Sequence, residues 1–105
     1  MCYVYLLDSA RGMYIGQTAD LEKRLRAHKS GAVKSTAQLG GVVCQWWWNV
    51  CTRYEALKLE LYLRRMQREC GDASVWGLML DSVTASQLLH EALKLPDTPY
   101  QLQFK

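Results

Sequence analysis

The order of apolar and polar residues along this chain predicts a β-hairpin followed by a helix. The runs Tyr3–Leu7 and Met13–Gln17 are rich in aromatic and β-branched residues, and a short connection that contains a glycine separates them. Two such runs at this spacing are typical of paired antiparallel strands. Thr18 then fits a helix N-cap, and Asp20–Ser30 fits the helix that follows it. The core-facing positions of that helix are Leu21, Leu25 and Ala27.

A third strand and a long helix are predicted next. Val42–Val50 is apolar at nearly every position, so we expect a strand that is too apolar on both faces to be an exposed edge. Thr52 and Glu55 then fit a capping box, which begins a helix that runs to about Glu69 and ends at Gly71. The inward apolar stripe of this helix is Ala56, Leu59, Leu63 and Met66.

The pattern after Gly71 is less regular. Residues 75–83 are apolar and fit either a helix or a strand, whereas Thr84–Gln87 fits a second capping box. The helix that it begins would run through about Leu95, and the alternation of Tyr100–Phe104 is compatible with a final strand. This order predicts an α/β fold of the α+β kind, in which helices flank a small three-stranded antiparallel sheet. A length of 105 residues fits one domain.

Positive charge is concentrated in the first two thirds of the chain. Residues 1–70 contain 11 basic and 6 acidic side chains, whereas residues 71–105 contain 2 basic and 4 acidic ones. A one-sided basic surface suits a phosphate backbone, although basic helix faces are often merely solvated. We expect an intracellular protein, nuclear or cytoplasmic, because we find neither a secretory leader nor an apolar segment long enough to span a membrane.

The cysteines predict no metal cluster. They lie at positions 2, 44, 51 and 70, without a CxxC pair or a nearby histidine pair. Zinc ligands usually come in tight pairs, so we expect reduced and mostly packed thiols.

Five polar residues form the candidate chemistry: Tyr5, Tyr14, Arg24, His28 and Glu60. The two tyrosines lie on neighbouring strands and can share one sheet face, and the arginine and histidine share one helix face at a spacing of four. Each residue also has an ordinary structural explanation. Tyrosines pack well on sheets, a basic helix face can be solvated, and Glu60 can pair with Arg64 one turn later.

Taken together, these residues resemble the GIY-YIG nuclease family. Tyr3-Val4-Tyr5 and Tyr14-Ile15-Gly16 look like the paired motif that names the family, with a tyrosine at position 3 in place of its glycine. Arg24 stands ten residues after the second motif's tyrosine, His28 follows one turn later, and Glu60 matches the family's metal-binding glutamate. The chain is most similar to the catalytic subunits of branched-DNA endonucleases and to small stand-alone members, with a core of about 1–70 and a C-terminal extension of about 71–105.

The resemblance implies a metal-dependent endonuclease that hydrolyses DNA phosphodiester bonds, with branched or flapped DNA in repair or recombination as a candidate substrate. Glu60 would bind one Mg²⁺ or Mn²⁺ ion, and Arg24 would hold a phosphate oxygen. Tyr5 would activate or orient the attacking water with support from Tyr14, and His28 is an alternative general base. The basic residues expected to contact DNA are Lys23, Arg26, Lys29, Lys34 and Arg64.

Two other interpretations remain. The chain can be a catalytically inactive nucleic-acid-binding module of the same fold. It can also be a protein-interaction domain in which the strand around Trp46–Trp48 forms a subunit interface. The same tryptophans can mediate a homodimer or hold a regulatory protein partner if the chain is a nuclease.

Overall fold

The structure, a computed structural model, describes residues 1–9, 12–30 and 42–95. Over these residues the order of elements agrees with the sequence prediction, and the segment left open as helix or strand is helical. The elements are β1 (Cys2–Ser9), β2 (Gly12–Thr18), α1 (Leu21–Lys29), β3 (Val42–Val50), α2 (Arg53–Cys70), α3 (Asp72–Leu80) and α4 (Ala85–Ala92). The final strand predicted at 100–104 lies outside the described residues.

The described strands form an antiparallel sheet in the order β2-β1-β3, which confirms the predicted α+β fold. In the pairing of β1 with β2, Tyr5 lies opposite Gly16 and Leu7 lies opposite Tyr14. Because directly opposed residues of antiparallel strands point to the same side of a sheet, these four share one face. The two candidate tyrosines therefore lie on one face, as predicted.

The two sheet faces are covered by different helices. The larger apolar cluster lies on the face of Val4, Leu6 and Ile15, where it includes the buried stripe of α2. On the opposite face, Tyr5 and Leu7 form a smaller cluster. Its partly buried members are Tyr14 of β2 and Leu21 and Leu25 of α1. The sheet thus separates a hydrophobic core from a polar site that α1 flanks.

Helix α2 has the ends that the sequence predicts. The Thr52 side chain accepts a hydrogen bond from the backbone amide of Glu55, and the Glu55 side chain accepts one from the amide of Thr52. The helix ends at Gly71, whose φ of 88° is in a region that favours glycine. The inward stripe is confirmed, since Ala56, Leu59 and Leu63 are buried and Met66 packs against them.

Two local predictions were wrong. The N-cap of α1 is Asp20 and not Thr18, because the Asp20 carboxylate accepts from the amide of Lys23 at 3.1 Å. The Thr18 hydroxyl accepts from the amide of Asp20 instead, one step before the helix. The second error concerns the thiols: Cys2 is buried as expected, whereas Cys51 and Cys70 are exposed, and all three are free.

The sequence also predicted that β3 is too apolar on both faces to be an exposed edge. Within the described sheet it lies at an edge and pairs with β1 alone. Trp46 and Trp48 belong to the core face, with ring centroids 6.4 Å apart, whereas Trp47 alternates to the other face and is 52% exposed. A surface interface in this strand would therefore use Trp47 and not the whole tryptophan run. Among the described residues, no helix has both the length and the apolar character needed to cross a membrane.

Candidate active site

A groove of about 770 Å³ opens between the end of β2, helix α1 and one side of α2. Tyr5, Tyr14, Arg24 and Glu60, four of the five catalytic candidates, line it. His28 lies directly behind Tyr5, within hydrogen-bonding distance. The structure thus brings together residues that the sequence places on two strands and two helices.

The Tyr5 hydroxyl is held by packing and by one short contact. Its side chain is fully buried, and its oxygen lies 2.8 Å from Nε2 of His28. Gly16 makes room for it, since a Cβ at position 16 would lie 2.6 Å from the Tyr5 hydroxyl and 2.9 Å from a ring carbon of Tyr14. The packing of Tyr5 and Tyr14 therefore requires a residue without a side chain at position 16.

Burial controls the protonation of this pair. It raises the pKa of Tyr5 to about 12, although a hydrogen bond with Arg24 acts in the opposite direction. Burial also lowers the pKa of His28 from its usual value, and the charge of Arg24 adds to that effect. At neutral pH the phenol therefore keeps its proton and the imidazole is neutral. In the tautomer that carries its proton on Nδ1, the Nε2 of His28 can accept a hydrogen bond from the Tyr5 hydroxyl.

Tyr14 and Arg24 complete the tyrosine–histidine cluster. The Tyr14 ring lies 5.1 Å from the His28 ring and 6.4 Å from the Tyr5 ring, measured between centroids. Arg24 is one helical turn before His28 on α1 and faces the same groove. Its hydrogen bond with Tyr5 raises the pKa of the guanidinium, so Arg24 is a permanent cation beside the phenol.

Glu60 is the buried carboxylate of the groove, with only 6% of the residue exposed. Its Oε2 lies 3.1 Å from Nε of Arg64, so the ion pair that would give Glu60 an ordinary structural role is present. Burial raises the pKa of this carboxyl, and the charge of Arg64 offsets part of the shift. A cation in the groove would further relieve the cost of burying the charge.

The carboxylates that line the groove suit a hard metal ion, which prefers oxygen ligands, better than a metal ion that prefers thiolate ligands. The described residues contain no cluster of three or more histidine, cysteine or acidic side chains. Asp20, the other carboxylate of the groove, already caps α1. An ion that keeps most of its waters, as Mg²⁺ does, needs a single carboxylate, and Glu60 fits that role.

The basic residues predicted to bind nucleic acid are divided by the structure. Lys23 and Arg64 line the groove, whereas Arg26 is exposed and pairs with Glu22 at 2.9 Å. Lys29 is exposed at the end of α1, and Lys34 lies outside the described residues.

Arg53 was missed by the sequence analysis although it also lines the groove, exposed at the start of α2. A signal for it existed in the helical spacing. Arg53 is seven residues before Glu60 and eleven before Arg64, so the three lie on one helix face.

Comparison with known proteins identifies the family of this chain. A family model described as the GIY-YIG catalytic domain matches residues 1–70. The match contains both strands of the hairpin, α1, β3, α2 and every catalytic candidate. Neither the curated proteins nor the solved structures include a significant match to the chain.

Proposed function

The chain belongs to the GIY-YIG catalytic domain family, and from this premise we propose that it is a DNA endonuclease that uses one divalent cation. Membership of the family indicates a nuclease that acts on DNA and, as members generally do, uses a divalent metal. The observation that carries the proposal is the convergence of Glu60, Arg24 and the Tyr5–His28 pair on one groove. These groups match the needs of phosphodiester hydrolysis: an activated water, charge stabilisation and a metal ligand.

Glu60 is the residue proposed to hold the cation, one Mg²⁺ or Mn²⁺ ion. When bound, such an ion acts as a Lewis acid on a phosphate oxygen. The support comes from a buried carboxylate that faces a groove otherwise rich in positive charge. Arg24 has a complementary role, since its guanidinium can donate two hydrogen bonds to the phosphate and oppose the negative charge that develops on it.

Proton transfer is proposed to involve both Tyr5 and His28. A phenol with a pKa of about 12 is not a phenolate at neutral pH, so Tyr5 alone is a poor base. Its oxygen can accept a proton from the attacking water while its own proton passes to Nε2 of His28, 2.8 Å away. Tyr14 supports the pair by packing against both rings. On this scheme Tyr5 orients the water and His28 is the final acceptor.

The DNA backbone is proposed to lie along the basic side of the groove. Lys23 and Arg53 line the groove from α1 and from the start of α2, and Lys29 is exposed further along α1. Such contacts supply affinity without sequence preference. A preference for branched or flapped DNA in repair or recombination, inside the cell, extends the proposal on the strength of the resemblance to branched-DNA endonuclease subunits.

The proposal is tested by incubating the chain with linear, flapped and four-way DNA, with and without Mg²⁺ or Mn²⁺. Metal-dependent cleavage by the wild type that disappears in Glu60→Ala is the expected result. Binding without cleavage under every condition would instead favour an inactive DNA-binding module. Concentration-dependent association without DNA affinity would favour a protein-interaction domain that uses Trp47.

A further inference from the structure

Arg64 contacts three separate parts of the groove. Its Nε lies 3.1 Å from Oε2 of Glu60, and one of its terminal nitrogens donates a hydrogen bond of 2.8 Å to the carbonyl of Ile15. The guanidinium carbon also lies 5.8 Å from the centroid of the Tyr14 ring. A single side chain on α2 thus contacts the metal-ligand candidate, the backbone of β2 and a site tyrosine.

The contact with β2 belongs to a pair of bonds along the edge of that strand. In the described sheet β2 is an outer strand, and alternate carbonyls on its outer side accept from α2. Arg64 donates to Ile15, and Gln67, about one turn later, donates to Met13 at 3.0 Å. Gln67 also donates to Asp72 and does not line the groove. Both side chains tether α2 to β2, but only Arg64 also pairs with Glu60 in doing so.

These contacts occupy part of the donor set of Arg64. Its Nε and one terminal nitrogen are directed to a carboxylate and a carbonyl of the fold, which restricts how the planar guanidinium can meet a phosphate. Arg53 differs, because it is exposed at the groove and has no ion pair with any described residue. Of the two arginines of α2 that line the groove, Arg53 is therefore the more exposed, and Arg64 is the one held by contacts within the fold.

We propose that Arg64 is a positioning residue that holds the Glu60 carboxylate through Oε2, so that the other oxygen, Oε1, binds the divalent cation. This inference rests on the proposed function and assigns Arg64 to the metal site instead of the DNA surface. Residues that orient metal ligands in this way typically change metal affinity by about 10- to 100-fold when they are replaced.

The experiment measures two quantities in the full chain without catalysis. Mn²⁺ affinity is obtained from the electron paramagnetic resonance signal of the free ion in the absence of DNA. DNA affinity is obtained without metal at several salt concentrations. The test variants are Arg64→Lys, which keeps the charge and loses the fixed geometry, and Arg64→Gln, which keeps a donor for Ile15 and loses the ion pair. Thermal unfolding establishes that each variant is folded.

Two control variants separate the alternatives. Gln67→Ala removes the neighbouring tether to β2, so it reports the effect of loosening the strand edge alone. Arg53→Met removes an exposed cation of the groove. The slope of the logarithm of DNA affinity against the logarithm of salt concentration should therefore become shallower by about one. Neither control should change the affinity for Mn²⁺.

The expected result is that both Arg64 variants bind Mn²⁺ about tenfold more weakly or worse, while the salt dependence of DNA binding stays that of the wild type. Unchanged or tighter Mn²⁺ binding in either folded variant would overturn the inference, as would equal weakening in Gln67→Ala. Failure of the proposed function has a different signature, namely equal cleavage activity, or none, in the wild type and Glu60→Ala.

Discussion

The hydroxyl of Tyr5 and Nε2 of His28 lie 2.8 Å apart, in a part of the molecule where both side chains are buried. The same burial that raises the pKa of the phenol lowers that of the imidazole. The environment thus keeps the proton on Tyr5 in the resting state and an acceptor next to it, which is the state that the proposed relay requires.

Removal of the Glu60 carboxylate should abolish cleavage and leave DNA binding largely intact. Glu60→Ala deletes the proposed metal ligand but none of the exposed cations. Cleavage of a labelled duplex and a binding titration measure the two effects. Glu69→Ala is the matched control, because Glu69 is on the same helix, exposed, and paired with Arg65. Metal-dependent activity that survives in Glu60→Ala would remove Glu60 from the metal site.

Arg24→Ala should lower kcat by about 10²- to 10³-fold, or about 2.7–4 kcal/mol of transition-state stabilisation, as deletion of an oxyanion donor does. The reason is that, in the proposed mechanism, the guanidinium opposes charge that grows only in the transition state. Single-turnover cleavage at saturating DNA measures the effect. Arg65→Ala, which removes an exposed arginine of α2 outside the groove, should leave the rate near that of the wild type. An equal loss in the two variants would refute a specific role for Arg24.

Gly16→Ala should destabilise the fold by about 1–3 kcal/mol and reduce activity, because the new Cβ would lie 2.6 Å from the buried Tyr5 hydroxyl. Gly77→Ala is the control, since a Cβ at that helical position meets no described atom within 4 Å. It should stabilise the chain by up to about 1 kcal/mol. Urea unfolding gives both free energies, and wild-type stability in Gly16→Ala would contradict the packing argument.

Acidification should destabilise the fold through His28. Its pKa is lowered in the folded state, so below the unfolded value of about 6.5 the unfolded chain binds more protons than the folded one. The contribution of His28 to the free energy of unfolding is therefore complete above pH 6.5. It decreases as the pH falls from there toward the lowered pKa that His28 has in the folded state. Urea unfolding between pH 7.5 and 5 measures this dependence.

The variant for this pH experiment is His28→Gln, whose amide oxygen can still accept a hydrogen bond from Tyr5. Its free energy of unfolding should fall less steeply with acid than that of the wild type. His90→Gln changes the other histidine, which is exposed on α4, and should retain the wild-type slope. If the free energy of unfolding had the same pH dependence in the wild type and in His28→Gln, the burial of His28 would not be the cause of the loss of stability in acid.

Local chemistry in the sequence was sufficient to predict most of the elements. The hairpin, the capping boxes at Thr52 and Thr84 and the stop at Gly71 depend on residues within a few positions of each other. Local patterns fail where neighbours compete, as at the start of α1, where Asp20 caps the helix and Thr18 does not. The Asp20 carboxylate accepts from the amide of Lys23 inside the helix, whereas the Thr18 hydroxyl, two residues earlier, accepts from the amide of Asp20.

The candidate site was predictable only as a set of residues in the right order. The resemblance of the chain to the GIY-YIG family pointed to Tyr5, Tyr14, Arg24, His28 and Glu60, since each of these residues also has an ordinary structural explanation. Their burial, the pKa shifts of Tyr5 and His28, and the place of Arg53 at the groove depend on how α1 and α2 are placed around the end of β2. No local pattern encodes that placement, because it arises from side chains distant in the sequence.

The sequence by itself determined which secondary elements form and which residue types are available for catalysis, because helix caps, turns and apolar periodicity act over a few residues. Only the tertiary structure decided that Trp47 is exposed on an edge strand of the described sheet and that Arg64 ties Glu60 to β2. The physical reason is that exposure, desolvation and ion-pair geometry depend on neighbours brought together by packing, and these neighbours are not adjacent along the chain.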